Sequence, residues 1–499
     1  MTQGEIEKLT VKVSNIFSEL EIRIMTDIVR KIKENGFASA SADWQISRLQ
    51  QLGMAEEDIR KWIQNALQAT DVEMNRIFSD EVYKQYYEQE HFFKFAGMQQ
   101  VPFEENIALQ QLIEATKKQL QGEYQNLAGS MGFAIRNPAT GKIQYSPLMD
   151  YYRSTMDQAV TDIKSGAFDY NTVLKRTVNQ IAASGLRYIE YDSGHRDRID
   201  VAARRAILTG FRQVQGQIME QTADQLGTDT YEVSYHVGAR PTHQPWQGKV
   251  WTWQELVSIC GLGEVTGLKG ANCYHDYRPF PLGSVRTYTD EQLAQMNREE
   301  NTPKRYGDKQ YTTYEALQQQ RKMERAMRAQ RQKIKLLQEG GADPNDIILA
   351  KAKYQGQMQT YKDFSEKMKL PEQKERIMQD GLRGRFMPTK AELRKINQPT
   401  LKNAAGQDII EVKRITLTGT PNSITQLTGK KGGIERNYYD ENGRQYKQIS
   451  NNNHGNPKQH SYGVNGEHAH DYSYSDDGKV KRTTREMTVE ERKENEDIL

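Results

Sequence analysis

Apolar residues recur every three or four positions from the start of the chain: Ile6, Leu9, Val13, Ile16, Leu20, Ile24 and Ile28. That spacing puts them on one face of a helix, and Asn35-Gly36 ends it with a pair that tolerates positive φ. Residues 41–95 read as helical again, with Asp43 as a candidate cap and Ile59, Trp62, Ile63, Ala66 and Leu67 in helical register. A third stripe, Leu109, Leu112, Ile113, Thr116 and Leu120, predicts a helix over about 104–127. The glycines at 129–132 break the pattern, and residues 135–145, with Asn137-Pro138 and Thr140-Gly141, predict a small hairpin. From 148 to 226 the pattern is helical once more. Val173, Leu174, Val178, Ile181 and Ala182 form one stripe, Val201, Ala202, Arg205, Ala206, Leu208 and Phe211 the next, and Gly227 closes it.

The period then changes. Residues 231–236 alternate like a strand, and 236–286 is dense in Gly, Pro, His, Trp and Cys, as a compact loop-rich module would be. A helix over 314–338 and another to about Leu370 follow. Residues 383–433 read as a linker with short strands, and 434–499, rich in Asn, Tyr and His, as a small tail. The expected class is α+β, mainly α-helical. Its segments are a helical N-terminal region (1–147), a core module (148–290), a basic helical arm (291–382), the linker, and a small β-rich C-terminal domain (434–499).

Composition narrows the function classes. Hydrophobic residues make up 36% of the 499, below the roughly 45–50% apolar usage of ordinary domains, which also counts Gly. No apolar run approaches the ~20 residues of a membrane span, so no membrane partner is expected. The acidic first residues, without an apolar stretch, predict no secretory signal. Two cysteines cannot build a disulfide framework, which fits a reducing, intracellular origin. Charge is unevenly spread: residues 1–300 carry a net of -7 and residues 301–384 a net of +7. Within the basic part, Arg321, Lys322, Arg325, Arg328, Arg331, Lys333 and Lys335 stand against one acid, Glu324. With few large apolar residues between them, they predict a projecting arm that meets an anion such as double-stranded DNA, or else a solvated helical face.

Two clusters carry candidate chemistry. His236, His243, Cys260, Cys273 and His275 are residues Zn²⁺ prefers, and structural zinc sites use four such ligands. His236, His243, Cys273 and His275 are the expected set, with Cys260 able to replace a histidine; the alternative is free thiols and ordinary histidine hydrogen bonds. In the tail, His454, His460, His468 and His470 fall within 17 positions. They can hold a metal, act as general acid and base on a phosphodiester, or simply line a polar binding domain. No phosphate-binding Gly-Lys loop, H-E-x-x-H pair or G-x-S-x-G elbow is present.

The module carries a recognisable pattern. It runs His236, Gly238-Ala239-Arg240-Pro241-Thr242-His243, Gln247-Gly248-Lys249, Gly267-Leu268-Lys269-Gly270-Ala271-Asn272-Cys273-Tyr274-His275 and Pro279-Phe280. This resembles the minor capsid protein 2 family of tailed phages, related to Mu-type head morphogenesis proteins, and the segment from His195 to Ala206 is similar as well. The resemblance implies a structural virion protein of the capsid interior, made in the bacterial cytoplasm. Its expected partners are the portal and inner capsid, and its role lies in head assembly and in DNA packaging or ejection, with no established reaction. Gly238, Arg240, Pro241, Trp246, Gln247, Gly248 and Asn272 are then structural motif residues. Arg240 offers a planar fork for a carboxylate or carbonyl. The tail is similar to segments on phage minor capsid proteins and on polymorphic toxins. That leaves a rival expectation of a delivered effector with a metal-dependent, nuclease-like tail.

Overall fold

A computed structural model describes residues 3–36, 43–136, 140–165, 167–189, 196–270, 273–396, 401–429, 432–475 and 479–499. His195, the hairpin tip Asn137-Pro138 and motif residue Asn272 lie outside the described residues. The chain divides into two compact units, one of Met1–Ala342 with Gly356–Gly384, the other of Asp343–Gln355 with Arg385–Leu499. The class is α+β and mainly helical, as the periodicity predicts.

The first unit is built around the opening helix, Gln3–Gly36. Its stripe is the core: Val13, Phe17, Ile24 and Ile28 are fully buried. Each such side chain contributes roughly 1.5–3 kcal/mol by leaving water. This helix packs on Ile199–Leu226, which also meets Ile107–Gly129. The hairpin forms, Met131–Arg136 against Ile143–Pro147, and belongs to a four-stranded antiparallel sheet completed by Arg187–Ile189 and Arg196–Arg198.

One buried acid ties these pieces together. Glu21, 1% exposed, accepts from Arg198 Nη2 at 2.6 Å, from the Leu186 backbone N–H at 2.6 Å and from Gln332 Nε2 at 2.8 Å. A buried carboxylate is tolerable only when paired and hydrogen-bonded in this way.

The basic helix corrects the expectation of a projecting arm. Thr313–Glu339 begins with a reciprocal cap between Thr312 and Glu315 and packs into the first unit, burying Met327, Ile334, Leu336 and Leu337. Its cations find acids far along the chain. Arg328 Nη1 is 3.4 Å from Asp200, and Arg331 Nε is 2.7 Å from Asp380, a pair buried on both sides. Lys335 pairs with Glu339. Internal neutralisation replaces the self-repulsion that would have pushed the helix outward.

The second unit is a seven-stranded sheet whose strands follow chain order: Leu401–Lys402, Asp408–Glu411, Ile424–Thr428, Ile434–Tyr439, Gln445–Ser450, His468–Tyr474 and Val480–Arg485. Every pairing is antiparallel except that of Asp408–Glu411 with Ile424–Thr428. The stretch read as a linker therefore supplies three strands. The reason is the core: Ile409 and Ile424 pack with Tyr438, Ile449, Ala469 and Met487, on the face that Ile498 also joins. The short helix Val489–Glu494 follows the last strand, capped by Thr488 and Glu491.

Candidate metal centres

The module of the first unit hangs on a three-stranded antiparallel sheet with Thr230–Val233 central between Val250–Thr252 and Tyr277–Pro279. Two loops leave it and return. The first holds His243 in a run of turns, its backbone N–H bonded to Arg240 O at 2.8 Å. The second ends in Cys273, whose N–H bonds Gly270 O at 3.1 Å, with His275 just before the third strand. The two loops bring His243, Cys273 and His275 together, all buried, with one ligand atom of each within 4.8 Å of the others.

The hydrogen bonds decide where the ring protons sit. His243 Nε2 is 2.8 Å from Thr266 O, which can only accept, so Nε2 carries the proton and Nδ1 is bare. His275 Nε2 is 2.9 Å from Gln247 Oε1. That oxygen also accepts the backbone N–H of His236 at 3.2 Å, so its identity is settled and His275 Nδ1 is bare too. These two proton-free Nδ1 atoms lie 3.4 Å apart, and Cys273 Sγ is 3.4 Å from His275 Nδ1. Ligands of a tetrahedral zinc with Zn–N and Zn–S of about 2.0–2.3 Å stand roughly 3.3–3.6 Å from one another. The donor set and its spacing therefore fit Zn²⁺, and the outer nitrogens are fixed as ligating histidines require.

His236 stands at the edge of this set. Its ring centroid is 4.7 Å from that of His275, and its buried Nδ1 has no hydrogen-bond partner among the described residues. Burial, with nearby cationic groups, depresses the His275 ring to about 2, and burial depresses His236 to about 4, so both are neutral and able to ligate at pH 7. Burial pushes the Cys273 thiol up; a cation beside it would reverse that by favouring the thiolate. Cys260 is not brought to the set. It is buried apart, its thiol pushed up to about 12 by burial.

The remaining motif residues hold this arrangement in place. Arg240 Nη1 reaches Thr266 O at 3.4 Å, the carbonyl that also fixes His243. Pro241 opens the run of turns that carries His243. Trp246 roofs the histidines, 4.5 Å from the His243 ring and 4.8 Å from His275. Gly238 has φ +72°, and a Cβ there would lie 2.1 Å from Leu317 of the basic helix. Gly248, φ +71°, would meet Leu293 at 2.5 Å. The motif glycines are thus sockets for two helices, Asp290–Asn301 and Thr313–Glu339. Sequence reasoning missed Arg212, which donates to Gly270 O at 3.2 Å and to Cys273 O and so clamps the ligand loop to the long helix. Its place on the buried face of that helix was the available signal.

Of the seven basic residues, Arg321 lies over the Tyr274 ring at 5.6 Å, Arg328 and Arg331 pair inside the fold, and Lys335 pairs with Glu339 one turn along its own helix. Lys333 is half-buried; Lys322 and Arg325 are exposed. The tail histidines also converge: His454, His468 and His470 form a second set with ligand atoms within 4.8 Å, and His460 stacks on His468 at 4.1 Å.

A mainly helical protein with a His/Cys module that docks two of its own helices has the build of a structural component. The family model for phage minor capsid protein 2 matches residues 1–366, and the chain belongs to that family. It is thus a structural protein of the phage head, found in the virion, with other head components as partners. Comparison with curated proteins and with solved structures gave no match. No helix among the described residues is long and apolar enough to cross a membrane.

Proposed function

We propose that this head protein acts from the capsid interior beside the portal, at low copy and without catalysis, and that one Zn²⁺ bound by His243, Cys273, His275 and His236 staples its module. The observation that carries the zinc is the pair of bare Nδ1 atoms 3.4 Å apart, which repel unless a cation lies between them. The ion would supply no reaction. It would lock two loops so that Gly238 and Gly248 present fixed sockets to their helices.

Portal contact follows from the family's place in the head. DNA contact, in packaging or ejection, falls to Lys322 and Arg325 on the exposed side of the basic helix. Mass spectrometry of purified particles, with crosslinking, tests the location. Low abundance against the major capsid protein and crosslinks to the portal are expected; absence from mature particles overturns it. The rival reading, a nuclease-like tail, draws on the four tail histidines. It requires the full chain to degrade DNA with a divalent metal.

A further inference from the structure

The sheet of the second unit treats its two faces differently. One carries Ile409, Ile424, Tyr438, Ile449 and Ala469 into the apolar core. Register puts a polar set on the other, since Ser450 pairs with His468, Gln448 with both Asn437 and His470, and His470 with Thr484. An outward sheet face is usually left to water. Here it is not: Asn437, Ser450, His468 and His470 are all at most 1% exposed. The chain between Ser450 and His468 folds over them. The loop is packed tightly on itself at Gly466, where a Cβ would lie 2.4 Å from Asn453 and 2.9 Å from His460 O.

That loop delivers two more imidazoles. The six centroid distances among His454, His460, His468 and His470 run from 4.1 to 6.3 Å. His468 and His470, two apart on one strand, point the same way and set their Nε2 atoms 3.0 Å apart. Their outer nitrogens are held: His468 Nδ1 donates to Gly466 O at 2.8 Å, and His470 Nδ1 is 3.0 Å from Thr484 Oγ1. His454 Nδ1 is 3.3 Å from the Glu435 carboxylate. Gln448 donates to the same carboxylate at 2.9 Å and also accepts from the Tyr472 hydroxyl. His460 Nδ1 is buried with no partner among the described residues.

We propose that His454, His468 and His470, with His460 stacked beside them, form a second metal site, for a divalent late transition-metal ion held by imidazole nitrogen alone. Three rings are oriented through their second nitrogen by a carbonyl, a hydroxyl and a carboxylate, the supports that ligating histidines use. His468, whose Nδ1 proton goes to a carbonyl, turns a bare Nε2 toward His470 Nε2, and with His470 Nδ1 donating to Thr484 Oγ1 both lone pairs are open to one cation. Imidazoles with no carboxylate among the ligands suit zinc, nickel, copper or iron and not magnesium or calcium. His454, the exposed member, marks the side from which the ion enters. The site lies beyond residues 1–366 and stands independently of the Cys273 site.

The test uses the full chain, stripped with a chelator and titrated with Co²⁺. Two ions per chain are expected, one with a sulfur-to-metal absorption and one without. Cys273→Ser should abolish that absorption and leave the second ion. His468→Ala with His470→Ala should remove the ion that lacks sulfur character and keep the absorption. His454→Ala, on the exposed loop, serves if the double variant does not fold, and should weaken the second ion's affinity at least about tenfold. Unchanged stoichiometry and affinity in folded His454→Ala and in the double variant would overturn the second site. Loss of sulfur absorption alone would count only against the first.

Discussion

The two units gather imidazoles in contrasting ways. In the first, three buried ligands including a thiol are enclosed under Trp246, and the loops that carry them grip helices of the same unit. In the second, His468 and His470 on one face of a sheet meet His454 from the covering loop, and His454 meets solvent. A closed nitrogen-and-sulfur set is built to hold a fold; an all-nitrogen set with an open side exchanges its ion more readily. The first lies within the residues that define the family, the second outside them. On the proposed reading the same residue type serves architecture in one unit and ligand binding in the other.

The largest expected effect checks whether the first unit stands on its buried charges or on its staple. Arg331→Ala leaves Asp380 buried and unpaired, and the first unit should lose about 3–5 kcal/mol, read from denaturant unfolding. Removing zinc is the parallel challenge. At a free ion concentration of about 1,000 times its Kd, the ion contributes about 4 kcal/mol, so a chelator should lower the first unit's stability by that much and its melting temperature accordingly. A fall confined to the second unit's transition would reverse the roles assigned to the two sites.

Acid should act on the second unit instead. Hydrogen bonds from Arg485 hold the Glu491 carboxyl at about 2, and Lys351 holds Glu392 at about 2, against an ordinary 4.5. Their folded values lie below their unfolded ones. Their stabilisation is therefore complete above about pH 4.5 and is lost as pH falls toward 2, by about 1–2 kcal/mol after screening. A melting curve of this unit that is flat over that window would refute the assignment. The smallest effect concerns DNA. With Lys322 and Arg325 as the exposed cations, binding should be weak, with a log–log salt slope near about -2. Lys322→Glu with Arg325→Glu should abolish it; a steeper slope would point to contacts elsewhere.

Long helices were legible because their stripes repeat over many turns, as in Val13, Ile24 and Ile28. The strands Arg187–Ile189 and Arg196–Arg198 were not, since three residues are too few to carry a period. The basic helix was misread for want of its partners: Asp200 is 128 positions from Arg328 and Asp380 is 49 from Arg331. No local pattern reveals that pairing. The strands at 408–411 and 424–428 looked like linker because each gives the core a single isoleucine. At the site, residue type identified His243, Cys273 and His275. Setting Cys260 aside as a substitute for a histidine, and seeing Arg212 behind the loop, required the turns that only folding supplies.

X-ray absorption at the zinc edge of the full chain, purified without chelator, decides whether His243, Cys273 and His275 hold zinc. Sulfur at about 2.3 Å together with nitrogen at about 2.0–2.1 Å is expected around the bound ion, with loss of the sulfur shell in Cys273→Ser. A chain that binds no zinc, or zinc whose first shell holds only nitrogen and oxygen, would contradict that expectation.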